Sequence, residues 1–235
     1  MNHYETLSPN RYSERANLAS LTRMLAFGAA VMVLLMLGIY VTQGIGQDPL
    51  QYIHTPLEYT AILLKNPPLL RAAIGLDNVF IVLYSSMFLA MGATLWQRSR
   101  SRPLLTAALV LLGLSGLLDL LENMHFLSMI ATALQGMDIS QAHIEIQVWE
   151  SLVKFHVSYL GLFLLGFALP TGSLLEKLLA MALRWVQLPI GMLIYLVQPD
   201  TARVLVFGRF TFFLVALMLI VAIFGQRQFG LDEPA

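Results

Sequence analysis

The stretch Leu117–Phe126, LLDLLENMHF, decides how this chain folds. It sets Asp119, Glu122, Asn123 and His125 inside a long apolar run. Ionisable groups are costly at membrane depth, and where they occur they face the protein interior, pair with one another or mark a functional path. The stretch therefore predicts a membrane helix with an inward polar face, around which the other helices are arranged.

The composition is typical of an integral membrane protein. Hydrophobic residues make up 57% of the 235 and charged residues 12%, whereas soluble domains carry about 25% charged residues. Mean hydropathy is +0.71. Because the formal net charge is zero, nothing favours nucleic acid as a partner. The absence of cysteine excludes disulfides, thiolate metal sites, iron–sulfur clusters and c-type haem attachment. No cofactor is predicted from the sequence.

Six apolar stretches are each long enough to cross about 30 Å of hydrocarbon. We expect membrane spans at 24–42, 72–96, 103–134, 141–169, 174–197 and 201–224. The first is interpreted as an uncleaved span because its apolar core is longer than that of a signal peptide. Between the first two spans, Pro56–Lys65 is predicted to form a short interfacial helix with proline in its first turn.

The basic residues determine the predicted orientation. Six spans put both termini on one side, and that side holds Arg11, Arg15, Arg23, Arg98, Arg100, Arg102, Lys177 and Arg227. The opposite loops hold only Lys65, Arg71 and Arg203. The positive-inside rule therefore predicts cytoplasmic termini in a bacterial inner membrane. The expected organisation is a polar segment at 1–23, one six-span domain at 24–225 and a short cytoplasmic tail at 226–235.

Polar residues from four helices converge in the outer third of the predicted bilayer, given a rise of about 1.5 Å per residue. The candidate site consists of Asp77, Asp119, Glu122, Asn123, Glu150, Lys154 and Arg209. The i, i+3, i+4 spacing puts Asp119, Glu122 and Asn123 on one face of their helix. Glu150 and Lys154 begin a second polar stripe on the next helix.

The carboxyl groups of this candidate site outnumber its two cations. Buried carboxylates without a counter-charge take up protons or bind a cation, which favours a proton, cation or small polar ligand. The alternatives are purely structural. Asp119 and Lys154 would form an ion pair that locks two helices together. Glu122, Asn123 and Glu150 would contact interfacial water, and Arg209 would snorkel or pair.

Two histidines, His125 and His156, are the candidate metal ligands. Together with Glu122 they would serve an intramembrane hydrolase or lipid-modifying enzyme. The alternative is that both are hydrogen-bonded or interfacial histidines. No H-x-x-x-H or H-E-x-x-H spacing accompanies them, and no catalytic residue is assigned.

Three motifs follow one another in a fixed order: LDNVFIVLY at 76–84, LDLLEN at 118–123 and ESLVKF at 150–155. This order resembles that of a broad group of uncharacterised bacterial multi-pass membrane proteins. The resemblance covers residues 76–155 and implies a membrane fold, but it brings no activity with it.

Three functions stay open on the sequence, and all have the lipid bilayer as a partner. The first is a non-enzymatic protein that binds or passes a proton, cation or small polar ligand. The second is an accessory or structural subunit that binds another membrane protein or a copy of itself. The third is the metal-dependent enzyme, which is less favoured because carboxylates outnumber the histidines suited to a metal.

Overall fold

The computed structural model describes residues 9–194 and 199–226, with the backbone alone for 9–13, 15 and 199–203. Within these ranges the chain is built from helices and contains no strand. The elements are α1 (Pro9–Gln43), a 3-10 turn (Asp48–Gln51), α2 (Pro56–Leu64), α3 (Pro67–Leu95), α4 (Arg102–Leu134), α5 (Gln141–Ala168), α6 (Leu174–Trp185), α7 (Gln187–Leu193) and α8 (Pro199–Gly225). The all-α prediction is confirmed for the described residues.

Five helices of the described chain are long and apolar enough to cross a membrane, namely α1, α3, α4, α5 and α8. This finding indicates a multi-pass membrane protein. Asn66, Ser101 and Ser140 cap α3, α4 and α5, each with a side-chain oxygen that accepts a backbone N–H. Proline follows the first two caps, where its missing N–H costs nothing. Polar caps thus mark where these long helices begin.

The segment expected to form a single fifth span is two shorter helices. Helix α6 ends at Trp185 and α7 begins at Gln187. Pro189 has no amide hydrogen for the Trp185 carbonyl four residues earlier, so the helix breaks at this point. Neither piece alone is long enough to cross about 30 Å. Residues 195–198, which hold the end of this predicted span and the start of the next turn, lie outside the described residues.

At the start of the chain, helical structure extends into the segment predicted to be polar. Helix α1 begins at Pro9, within the predicted polar segment 1–23, whose location outside the bilayer stays a prediction. Residues 1–8 and 227–235, including Arg227, lie outside the described residues. The short helix predicted at 56–65 corresponds to α2, which Thr55 and Glu58 begin with a capping box.

Two apolar clusters of buried residues hold the helices together. The larger joins α1, α3, α4, α5, α6 and α8, and the smaller joins α2 and the 3-10 turn to α3, α4 and α5. On α3 the boundary between the clusters falls between Ile74 and Phe80, and on α4 it falls between Leu112 and Phe126. The candidate polar residues of α3 and α4 lie in these two intervals, so the site is a polar layer between two apolar ones.

Candidate functional site

The centre of the site is the buried amine of Lys154 on α5. Its Nζ lies 2.8 Å from Asp119 Oδ1 and also bonds to Glu122, both on α4. Lys154 is 5% exposed and Glu122 is 0% exposed, so the pairing lies inside the protein. Because Asp119 and Glu122 are one helical turn apart on the same face of α4, a single amine reaches both carboxylates.

A chain of hydrogen bonds continues from Glu122 towards α2. Ser151 donates to Glu122 and accepts a hydrogen bond from Gln147 Nε2 at 2.8 Å. The Tyr59 hydroxyl in turn donates to Gln147 Oε1 at 3.0 Å. Burial, followed by the negative charge of Glu122, raises the pKa of Tyr59. The phenol therefore stays protonated and remains a donor at the outer end of this chain.

Asp77 on α3 has amide partners but no salt bridge to any described residue. Asn123 Nδ2 donates to Asp77 Oδ2 at 2.7 Å, and Gln47 Nε2 lies 3.4 Å from the same oxygen. Asn123 also donates to Asn78 Oδ1 at 2.9 Å. Among the described residues, no lysine, arginine or histidine forms an ion pair with Asp77. Within the described site, Asp77 is therefore a carboxylate that no salt bridge compensates.

A second ion pair joins the loop after α1 to α8. Arg209 Nη2 lies 3.1 Å from Asp48 Oδ1, and the guanidinium carbon lies 4.1 Å from the centre of the Phe155 ring. Arg209 is 4% exposed, so it pairs inside the protein and does not snorkel. Burial raises the pKa of Asp48, and the positive charge of Arg209 opposes that rise.

Residues 44–55, called the cover loop from here on, close the site at the end where α3 begins. Three side chains of this loop, Gln47, Asp48 and Gln51, bond to α3, α8 and α4 respectively. The loop turns at Gly44, whose φ of +59° favours glycine. Leu50 anchors it in the smaller apolar cluster. The cover loop is therefore part of the site.

A cavity of about 90 Å³ lies within the site. Its charged lining is Asp48, Asp77, Asp119, Lys154 and Arg209, and its aromatic lining is Phe80, Tyr84, Phe88, Phe155, Tyr159, Phe210 and Phe213. Two further cavities, of about 60 and 240 Å³, also have Asp48 in their walls. The larger of these is lined mainly by the cover loop. We call the first cavity the inner cavity and the other two the loop cavities. Asp48 lies in the walls of all three.

Six of the seven predicted site residues take part in this arrangement, and the exception is Glu150. Gln147, Ser151 and Lys154 share the inward stripe of α5. Glu150 falls at the edge of that stripe, where its Oε2 lies 2.8 Å from His125 Nδ1 and its side chain is 36% exposed. The structure therefore separates Glu150 from the buried polar residues, because a carboxylate at the stripe's edge reaches a partner outside it, and its role in a ligand site stays a prediction.

The three predicted metal ligands are not brought together. Glu122 is held by Lys154, His125 lies beside Glu150, and exposed His156 donates to the Leu152 carbonyl of its own helix. In the part of the chain that the structure describes, no three histidine, aspartate or glutamate side chains are grouped to hold a metal. The arrangement therefore gives no support to the metal-dependent enzyme.

Sequence reasoning missed the loop residues and part of α5. Gln147 and Ser151 precede Lys154 by seven and three residues. This spacing keeps all three on one helical face, so the sequence alone could have revealed that they belong together. No such periodicity exists for Asp48 or Gln51, because a loop returns to the bundle by tertiary packing. The loop after α1 thus supplies the carboxylate of Asp48, which helical periodicity does not reveal.

The charges of the site do not balance. We call the set Asp48, Asp77, Asp119, Glu122, Asn123, Lys154 and Arg209 the polar cluster. Its four carboxyl groups face two cations, and each cation is already paired. If every group were ionised, two negative charges would remain, and such charges in a low-dielectric interior call for protons or for a bound cation.

Comparison with known proteins adds no relative. No protein-family model, curated protein or solved structure matches this chain. The function therefore has to be inferred from the geometry and charge of the polar cluster.

Proposed function

We propose that the chain is a six-span protein of the bacterial inner membrane whose polar cluster binds or passes a proton, a cation or a small polar ligand. In this proposal α6 and α7 together supply the fifth crossing, between α5 and α8. Two contacts support it. Helix α6 begins where Glu176 pairs with Arg98 after α3, whereas Arg209 of α8 pairs with the cover loop at the other end of the bundle.

The distribution of basic residues supports cytoplasmic termini. Arg23 of α1 lies against Gly225 at the end of α8, and Arg98 and Lys177 belong to the same end of the bundle through the contact between Arg98 and the first turn of α6. The polar cluster lies towards the opposite end, next to the cover loop. Under the positive-inside rule the basic end faces the cytoplasm, which puts the polar cluster in the outer leaflet.

The observation that carries the proposal is the uncompensated carboxylate of Asp77. Lys154 is shared by Asp119 and Glu122, and Arg209 is taken by Asp48, so neither cation is left for Asp77. Amide donors stabilise a carboxylate but do not neutralise it. A proton or a mobile cation is the species that would complete the charge balance at this position.

The cavities support access from the outer side. The inner cavity and the two loop cavities have Asp48 in common, so the three are adjacent at that side chain. Tyr52 and the exposed Ile53 line the outermost cavity. A proton or small ion would therefore reach Asp77 past the Asp48–Arg209 pair.

The test is ion flux into liposomes that contain the purified full chain and a pH-sensitive dye, repeated with a sodium-sensitive dye. We expect Asp77→Asn and Asp119→Asn to reduce flux to the level of empty liposomes while the protein still elutes as a single species. Glu150→Gln is the matched control because it neutralises a carboxylate outside the cluster, and its flux should equal that of wild type.

Three results would contradict the proposal. One is full flux in Asp77→Asn and Asp119→Asn, because the charge imbalance would then be irrelevant. Another is unfolding of Asp119→Asn, which would assign that carboxylate to structure. The third is an absence of flux combined with a native mass spectrum that contains a second protein, which would favour the accessory-subunit alternative.

A further inference from the structure

The inner cavity changes in character along the bundle. On α3, Asp77 and Phe88 both line it and are about 16 Å apart along the helix axis. On α4, Asp119 and Leu112 line it about 10 Å apart. In both helices the carboxylate lies towards the cover loop and the apolar side chain lies deeper. The cavity is therefore charged at its outer end, where three carboxylates accompany two cations, and apolar at its inner end.

The inner end is formed mainly by aromatic rings that contact one another. The centre of Phe80 lies 5.0 Å from that of Tyr84 and 6.1 Å from that of Phe213, and Tyr84 lies 6.0 Å from Phe88. Beyond Phe88 and Phe213 a second cavity of about 30 Å³ is lined almost wholly by apolar side chains. An inorganic ion gains little from such walls, because it needs oxygen ligands on several sides.

Aromatic faces already bind cations at this site. Lys154 Nζ lies 4.3 Å from the centre of the Phe155 ring, and the Arg209 guanidinium lies 4.1 Å from the same centre. Carboxylates combined with aromatic rings are the surroundings in which proteins recognise ammonium groups.

A tyrosine that lines the cavity has a buried hydroxyl without a hydrogen-bond partner in the described chain. Tyr159 is 2% exposed, and its hydroxyl lies next to Gly191 of α7, where nothing hydrogen-bonds to it. Buried polar atoms are nearly always satisfied, so an unsatisfied one calls for an explanation such as a ligand. An ammonium group can donate a hydrogen bond, and the hydroxyl oxygen of Tyr159 can accept one.

We propose that the inner cavity binds a small organic ammonium ion, a protonated amine with a short apolar body. The ammonium group lies between Asp77 and Asp119, and the apolar body lies against the rings of Phe88 and Phe213. The ligand supplies one of the two positive charges that the polar cluster lacks. This inference rests on the proposed function, since it names the cation that the cluster takes.

The experiment is calorimetric titration of the full chain in lipid nanodiscs with alkylammonium chlorides from methyl to butyl. We expect saturable binding whose affinity rises about threefold to fourfold with each added methylene, the increment of a buried CH₂ group. The neutral isostere 1-butanol should bind at least about tenfold more weakly than butylammonium, because it lacks the charge that Asp77 compensates.

Two variants with matched controls locate the ligand. Asp77→Asn should weaken butylammonium binding about tenfold or more, whereas Glu150→Gln should leave it unchanged. Ser158→Leu places a bulky side chain on the cavity wall and should abolish binding by filling the space. Its control is Ser128→Leu, the same exchange at an exposed position of α4. The Ser158 variant keeps the test decisive if Asp77→Asn does not fold.

The other outcomes separate this inference from the function on which it rests. Binding of sodium or potassium that depends on Asp77, without binding of butylammonium, would overturn the amine and leave a cation site. Proton flux that depends on Asp77, without any cation binding, would also overturn it and leave proton transfer. Butylammonium binding that is equal in wild type and Ser158→Leu would overturn the location. Absence of both binding and flux would remove the proposed function as well.

Discussion

Replacing Lys154 with methionine tests whether the buried charges at the centre of the site are coupled as the structure shows. Methionine keeps an apolar side chain of similar length, so packing changes little. The substitution removes the amine that lies 2.8 Å from Asp119 and bonds to Glu122. Removing one partner of a buried ion pair costs about 3–5 kcal/mol, because the other charge stays buried without compensation. We expect a loss of this size in the free energy of unfolding of Lys154→Met.

The second half of the test is the double variant Lys154→Met/Glu122→Gln. The glutamine can still accept the hydrogen bond from Ser151, and only the charge of Asp119 is then left without the amine. Replacing both members of a buried pair is often nearly neutral, so at least half of the loss should be recovered. The assay is denaturant unfolding in mixed micelles, analysed as a double-mutant cycle.

The matched control is Lys177→Met, because Lys177 is exposed on α6 at the opposite end of the bundle. Its effect should stay within about 0.5 kcal/mol. A cost below about 1 kcal/mol for Lys154→Met, or no recovery in the double variant, would refute the reasoning. Either result would mean that the amine and the carboxylates contact water instead of one another.

Two further predictions concern packing and pH. A Cβ at Gly191 on α7 would overlap the ring of Tyr159, so Gly191→Ala should lower the free energy of unfolding by about 1–3 kcal/mol. The control is Gly113→Ala, at an exposed position with open space, which should be neutral or slightly stabilising. Equal effects of the two variants in unfolding titrations would contradict the contact. Burial raises the pKa of Asp48 against the attraction of Arg209, so the Asp48 carboxyl keeps its proton to higher pH in the folded protein than in the unfolded chain. The stability that this protonated carboxyl contributes is present below about pH 4 and is lost as pH rises. Asp48→Asn should therefore flatten the fall in stability above about pH 4, and an unchanged slope would show that Asp48 is not buried.

The helices of this fold were largely predictable because lipid imposes simple rules. A membrane helix must be apolar over about 20 residues, and polar caps such as Ser101 and Ser140 mark where α4 and α5 begin. The break between α6 and α7 was not predicted, although Pro189 stands inside the expected span. Proline is tolerated within membrane helices, so its presence alone does not decide between a kink and a full break.

The site was predictable only where its residues lie on one helix. Asp119, Glu122 and Asn123 share a face of α4 by spacing alone, and the structure groups them as expected. Which residues of other helices they meet depends on how the helices rotate against one another. Glu150 shows the consequence, because a small rotation of α5 separates a buried position such as Ser151 from one that reaches His125.

The number of carboxylates in the polar cluster exceeds what helix packing requires. One ion pair between Asp119 and Lys154 would fix α4 against α5. Glu122, fully buried on the same amine, adds a second negative charge to it. Asp77 adds a third that no salt bridge offsets. Buried charges are in general no more stabilising than apolar residues of similar volume, so stability alone gives no reason for this surplus. Binding of a positively charged species would explain the surplus of carboxylates. We therefore expect function to depend on the excess of negative charge in the polar cluster, rather than on any single ion pair.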